Sequence, residues 1–164
     1  MYSSYQTKNE YIEQIIEKYA DMVYRLALSR TRNIENSQDV FQEVFYRLSK
    51  KMPEFKSEEH TKAWLIRVTI NCSKTLLGSK WNTKIETLEE NMCIEEPEVK
   101  EILEEVLELP QKYRTVIHLY YYEDLTIKEI AKVLRTNENT VKTWLARARN
   151  KLKHKMEGGI ENDK

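Results

Sequence analysis

Residues 125–155 read LTIKEIAKVLRTNENTVKTWLARARNKLKHK, and this stretch decides the fold. Thr126 is positioned to cap a helix, and Glu129, three residues on, completes a capping box. Ile127, Ile130, Ala131 and Leu134 then share one apolar face. Arg135 and Thr136 form a short turn, and Asn137 is a good N-cap for a second helix. In that helix Val141, Leu145, Ala148 and Leu152 make the apolar stripe. At about 100° per residue, the opposite face carries Asn139, Thr140, Thr143, Ala146 and Arg147. Two capped helices around a tight turn predict a helix-turn-helix, which places its second helix in the DNA major groove. The small and hydrogen-bonding side chains near that helix's N-terminus suit base edges. Lys142 and Arg149 on one flank and Lys151 on the other suit phosphates, which position a protein without reading sequence. Trp144 falls at the edge of the stripe, where it either packs or touches DNA sugar. A solvated basic helix is the plainer alternative. The capped pair, the short turn and six Lys/Arg without an acid over residues 140–155 argue against it.

Outside this stretch, the chain of 164 residues has room for one or two domains. With three Gly, three Pro and 33% charged residues, it reads as all-α with few tight turns. No apolar run approaches the roughly 20 residues of a membrane span. The N-terminus MYSSYQTKNEY lacks the apolar core of a secretory signal, so a cytoplasmic protein without membrane insertion is expected. Cys72 and Cys93 form no metal or redox spacing, and Cys72 reads as a small buried hydrophobe. His60, His118 and His154 lie in separate segments with no nucleophile or carboxylate pair nearby. They read as surface or partly buried structural histidines. No catalytic site, metal, cofactor or small-molecule substrate is expected. The zero net charge hides a segregation: residues 81–109 hold ten Glu against two Lys.

Three helices are expected before the acidic segment. The first spans about 9–32, with Ile12, Ile15, Ile16, Tyr19, Val23, Leu26 and Ala27 in helical period. The second starts after Asn36 and Ser37 as caps and ends before Pro53, with Val40, Phe41, Val44, Phe45 and Leu48 inward. The third spans about 59–77, with Trp64, Leu65, Val68, Cys72 and Leu76 inward and Gly78 as C-cap. The weakly periodic stretch that follows predicts a linker between two small helical domains, because a structureless loop that long is unusual inside one domain. The expected organisation is residues 1–78, a linker at 79–97, a second domain at 98–157 and a frayed tail at 158–164. In the second domain Val99, Ile102, Leu103, Val106 and Leu107 form a helix that Leu109-Pro110 breaks. Tyr113, Val116, Ile117 and Tyr120 face inward from the next one.

Four segments together resemble one family: DVFQEVFYRL at 39–48, WLIRVTIN at 64–71, LPQKYRTVIHLYYYEDLTIKEIAKVL at 109–134 and NTVKTWLARARNKL at 139–152. They are similar to bacterial RNA polymerase sigma factors of the two-domain extracytoplasmic-function (ECF) type, and the resemblance covers about residues 10–155. It implies a promoter-specificity subunit that binds the core enzyme, including its β′ and β subunits, and promoter DNA. It also implies an anti-sigma partner. In the family the second helix docks on a coiled coil of core polymerase; Asp39, Gln42 and Glu43 match its polar docking positions, and Phe45 and Leu48 its packing positions. The third helix and the loop before it read and melt the minus-10 element. Single-strand capture needs charge and stacking surfaces. Here Lys56, Lys62, Arg67, Lys74 and Lys80 supply charge, and Phe55, Trp64 and Trp81 supply rings, with Trp64 open between core and base platform. Asn71 matches a family asparagine, whereas Thr75 and Gly78 stand where the family often has Asp and Arg.

The family's recognition helix reads the minus-35 element, which implies roles there for Asn139, Thr140, Lys142, Thr143, Trp144, Arg147, Arg149 and Lys151. Arg135 stands where the turn often has glycine, and Trp144 where arginine is common. The acidic linker admits two readings, a self-repelling spacer or a polyanion that mimics RNA. A conventional helix-turn-helix regulator independent of core polymerase is the alternative to a sigma factor.

Overall fold

The computed structural model describes residues 2–80 and 104–161. The chain divides into two compact units, Met1–Glu89 and Glu90–Lys164. The acidic stretch from residue 81 to 103, with Trp81 and Cys93, lies outside the described residues.

Unit 1 packs three helices pairwise: α1 (Tyr2–Thr31), α2 (Ile34–Lys51) and α3 (Glu58–Lys80). Val23, Leu26 and Ala27 of α1, Val40, Val44 and Leu48 of α2, and Leu65 and Ile66 of α3 are all buried. Each large one contributes about 1.5–3 kcal/mol by leaving water. The inward face of α3 is rotated from the expected one. Ile66, Thr69, Ile70 and Ser73 are buried with Leu65 and Cys72, whereas Trp64, Val68 and Leu76 are half-buried. The polar members of that face are satisfied locally, as when the Thr69 hydroxyl donates to the Leu65 carbonyl at 2.7 Å. Ser73 accepts from Nε of the buried Arg30 at 3.1 Å, tying α1 to α3. Burial lowers the Arg30 pKa to about 10.

The α1–α2 corner also departs from expectation. Asn33, not Asn36 or Ser37, caps α2, its Oδ1 accepting from Asn36 N–H at 2.9 Å. Asn36 and Ser37 lie one turn inside, buried, with the Ser37 hydroxyl 2.8 Å from that of Thr31 and donating to the Asn33 carbonyl at 2.6 Å. The hydroxyl pair closes the corner, and that closure selects the earlier cap.

Unit 2 opens with a helical turn at 104–107, then α4 (Gln111–Ile117), a π-helical turn (His118–Tyr122), α5 (Ile127–Leu134) and α6 (Glu138–Glu161). Its core joins Leu107, Leu109, Val116, Leu119, Ile130, Val141, Leu145 and Ala148. The buried Arg114 donates from Nη1 to the Leu107 and Leu109 carbonyls at 3.3 and 3.0 Å. The break before Pro110 would otherwise leave those acceptors unmet.

Helices run past their expected ends in three places. α1 begins at Tyr2, α3 passes through Gly78 to Lys80, and α6 continues to Glu161 through the segment expected to fray. Apolar period marks only the packed part of a helix, and a nucleated helix propagates beyond it with one hydrogen bond per residue.

Candidate nucleic-acid interface

The helix-turn-helix forms as its local chemistry predicts. Thr126 Oγ1 accepts from Glu129 N–H at 3.1 Å, and the same hydroxyl donates to the Glu129 carboxylate at 3.1 Å. α5 ends on Arg135 in the left-handed region, φ 54°. Arg135 N–H reaches the Lys132 carbonyl at 3.3 Å and Thr136 N–H reaches that of Ala131 at 2.9 Å, the paired bonds of a Schellman cap. Arginine therefore holds a conformation that glycine adopts without strain. Asn137 Oδ1 then accepts from Thr140 N–H at 2.7 Å and starts α6.

Val141, Leu145 and Ala148 are buried, while Asn139, Thr143, Ala146 and Arg147 are exposed and Thr140 is half-exposed on the opposite side. Thr143 spends its hydroxyl proton on the Asn139 carbonyl at 2.9 Å, leaving its oxygen lone pair and methyl outward.

Both flanks of α6 carry cations held against rings. On one, Arg149 lies 5.4 Å from the Tyr120 centroid and 5.6 Å from that of Tyr121. Its Nε donates to the Tyr121 hydroxyl at 2.7 Å. Lys142 is exposed on the same side. On the other flank Trp144 is half-buried, and Lys112 of α4 sits 5.8 Å from its ring and 5.1 Å from that of Tyr113. Lys151 approaches Tyr113 at 6.0 Å. Trp144 thus packs at the stripe's edge and recruits a cation from another helix. Lys112, Tyr120 and Tyr121 were missing from the sequence-derived set because they precede the helix-turn-helix.

The rings of Tyr120 and Tyr121 reach α6 from the π-turn. Its extra residue per turn shows in the i to i+5 bond from Glu123 N–H to the His118 carbonyl at 3.2 Å, and the chain then leaves the turn with Leu125 N–H bonded to the Leu119 carbonyl at 3.0 Å. His118 is buried, with Nε2 3.3 Å from Oε1 of buried Glu123 and its ring stacked on Tyr122 at 5.3 Å. His60 and His154 are exposed.

In unit 1 the loop after α2 meets one stripe of α3. Phe55 packs edge-on against Trp64 at 5.7 Å and against His60 at 5.4 Å. His60 Nδ1 accepts from Lys56 N–H at 3.2 Å, which leaves Nε2 to carry the ring proton. Trp64 is half-buried, between the two roles the sequence left open. Spacing of 4, 3, 4 and 3 from His60 through Trp64, Arg67 and Asn71 to Lys74 puts all five on one helix face. Asn71, Lys74 and Lys56 are exposed, and Arg67 and Lys62 half-buried. His60 was read as structural, although the same spacing places it in this set.

Along α2, Asp39, Gln42 and Glu43 are exposed, whereas Phe45 and Leu48 are buried in the core of unit 1. The exposed aromatic on this face is Tyr46, 56% accessible, which the sequence reading passed over. It falls at the helical spacing of the outward stripe, three residues after Glu43. Beside it Glu43 accepts from Arg47 Nε at 2.9 Å. A groove of about 310 Å³ runs between α2 and α3, lined by Asp39, Val40, Glu43, Arg47, Cys72, Thr75 and Leu76. Cys72 is the small buried residue expected, and burial pushes its thiol above the usual cysteine range. Thr75 shares this groove with Asp39 and Glu43. Among the described residues no His, Cys, Asp and Glu group could hold a metal ion, and no helix is long and apolar enough to cross a membrane.

The family described as sigma-70 region 2 matches residues 15–83, and sigma-70 region 4 matches residues 100–152. The RNA polymerase sigma factor SigV of Bacillus subtilis (strain 168) is 31% identical over 148 residues, covering 87% of this chain and 89% of that protein. The ECF RNA polymerase sigma factor SigM of the same organism is 29% identical over 169 residues, covering 93% and 99%. In fold, the chain is similar to the sigma factor RpoE in complex with the anti-sigma factor NepR from Bartonella quintana. That match has a TM-score of 0.74 at 17% identity and covers 88% of this chain and 96% of that one. CnrH in complex with the cytosolic domain of CnrY gives 0.69 at 20% identity, covering 92% and 90%.

Proposed function

Because this chain belongs to the ECF-type sigma factors of RNA polymerase, non-enzymatic subunits that direct the polymerase to promoters, we propose how its two units divide that work. Unit 2 reads the minus-35 element. Asn139, Thr140, Thr143 and Arg147 face base edges, while Lys142, Arg149 and Lys151 face phosphates. Trp144 contributes by holding Lys112. The observation that carries this reading is the strict opposition on α6 of buried Val141, Leu145 and Ala148 to exposed Asn139, Thr143 and Arg147.

Unit 1 docks on core polymerase and opens the minus-10 element. Asp39, Gln42, Glu43 and the exposed Tyr46 form the docking stripe of α2, toward the β′ and β subunits. Phe45 and Leu48 support it from within the fold. Phe55, Lys56, His60, Trp64, Arg67, Asn71 and Lys74 form the surface for the opened strand, with rings for stacking and cations for the backbone, whereas Lys62, two residues from both His60 and Trp64, falls on the other side of α3. The division runs from residues 1–78 to residues 98–157, with 79–97 as the connecting segment.

An anti-sigma protein is proposed as a further partner, since the similar RpoE is bound to the anti-sigma factor NepR. The proposed compartment is the cytoplasm, where promoter DNA and polymerase meet.

Run-off transcription with purified core enzyme on genomic fragments tests the whole reading. Transcripts starting at defined sites only when this protein is added are expected. Promoter-specific DNA binding that needs no core enzyme, with no transcript, would sink it.

A further inference from the structure

We infer that Tyr121, which lies outside the helix-turn-helix, is a positioning residue that holds Arg149 for the promoter backbone. The inference rests on the proposed phosphate role of Arg149 and adds to it a residue that orders that side chain before DNA arrives.

The geometry is specific to arginine. Tyr121 is 52% exposed, so its ring contributes little to the core of unit 2. Its hydroxyl accepts from Arg149 Nε at 2.7 Å across 28 residues of sequence. The guanidinium also lies over both Tyr120 and Tyr121, at 5.4 and 5.6 Å. A guanidinium has five N–H donors in a fixed fork. With Nε engaged, the four on the two Nη atoms remain, a pair suited to bidentate contact with phosphate oxygens. Lysine has no equivalent of Nε and cannot be gripped this way while presenting its charge. A long side chain held in place before binding loses less rotamer freedom on the complex.

The π-turn is what brings Tyr121 there. The His118–Glu123 contact and the i to i+5 bond from Glu123 to His118 hold the widened turn, and π-turns recur at functional sites. On α6, Arg149 stands on the flank of the strip formed by Asn139, Thr143 and Arg147, where a backbone contact is expected rather than a base contact.

The test is a double-mutant cycle on reconstituted holoenzyme and promoter DNA, with affinity measured across a salt series. Arg149→Ala is expected to lower affinity about tenfold on matched and scrambled minus-35 sequences alike and to reduce the salt slope by about one. Tyr121→Phe, which removes only the hydroxyl, should cost roughly threefold in the wild-type background, as a lost exposed hydrogen bond does. It should cost nothing further beside Arg149→Ala or Arg149→Lys. Losses that multiply in the double variant would overturn the positioning role and assign Tyr121 its own contact. A Tyr121→Phe protein indistinguishable from wild type, beside a weakened Arg149→Ala, would likewise overturn it while leaving the phosphate role of Arg149 standing. An unchanged affinity and salt slope for Arg149→Ala would remove both. Thermal unfolding of Tyr121→Phe is expected to match wild type, separating positioning from folding.

Discussion

The proposed DNA-facing surfaces of the two units present their cations differently. In unit 2, Arg149 lies over Tyr120 and Tyr121, Lys112 over Tyr113 and Trp144, and Lys151 over Tyr113. In unit 1, Lys56 and Lys74 are exposed, and among the described residues neither sits over a ring. There the rings of Phe55, Trp64 and His60 pack on one another. A duplex offers phosphates at fixed positions on either side of a groove, so cations fixed in advance gain register. A single strand is pliable, and stacking platforms with mobile charges accommodate it. Under the proposed division of labour, the contrast suits rigid reading in unit 2 and adaptable capture in unit 1.

Breaking the scaffold of one unit should separate the two activities most sharply. Leu145→Ala removes a fully buried side chain of α6 and should cost about 2–5 kcal/mol of the stability of unit 2. Minus-35 binding should be lost while core-polymerase pull-down persists; loss of both would mean that the division of labour is wrong.

Base reading and strand capture come next. Arg147→Ala should reduce discrimination between matched and scrambled minus-35 DNA by about 1–3 kcal/mol in competition binding. Equal losses on the two DNAs would count against its place in the groove. Phe55→Ala should weaken open-complex formation by a similar ~1–3 kcal/mol. Permanganate footprinting would register this, with the affinity for a minus-35 duplex unchanged. If a pre-melted bubble template fails to restore transcription, the capture role falls.

The smallest effect concerns the turn. Because Arg135 holds φ 54°, Arg135→Gly should raise stability by a few tenths to about 1 kcal/mol, read by thermal unfolding. A lowered midpoint would show that its side chain has a compensating contact.

What the sequence made legible followed from how local the chemistry is. The Thr126 and Asn137 caps, the exposure of Asn139, Thr143 and Arg147 and the burial of Val141 and Leu145 depend on residues three or four apart, and they stand as expected. The cap of α2 was misplaced by a turn because Asn33, Asn36 and Ser37 all suit the role. The choice depends on Thr31 meeting Ser37, a contact with the preceding helix. The inward face of α3 was misjudged for a related reason: Thr69 and Ser73 look polar in sequence but are buried with their hydroxyls satisfied. The π-turn left no trace in a 3.6-residue period, and without it Tyr121 could not be linked to Arg149. Tyr46 was overlooked because an aromatic outside the apolar stripe carries no signal in the sequence until its exposure is seen.

One feature also bears on the order in which the second unit assembles. Arg114 reaches Leu107 and Leu109, only seven and five residues back in sequence. Closing so short a loop sacrifices little chain entropy, so the bend at Pro110 can form before any distant helix arrives. The recognition helix then docks onto a corner already in place. Substituting Arg114 should therefore slow refolding more than it speeds unfolding, a high φ-value measurable by stopped flow.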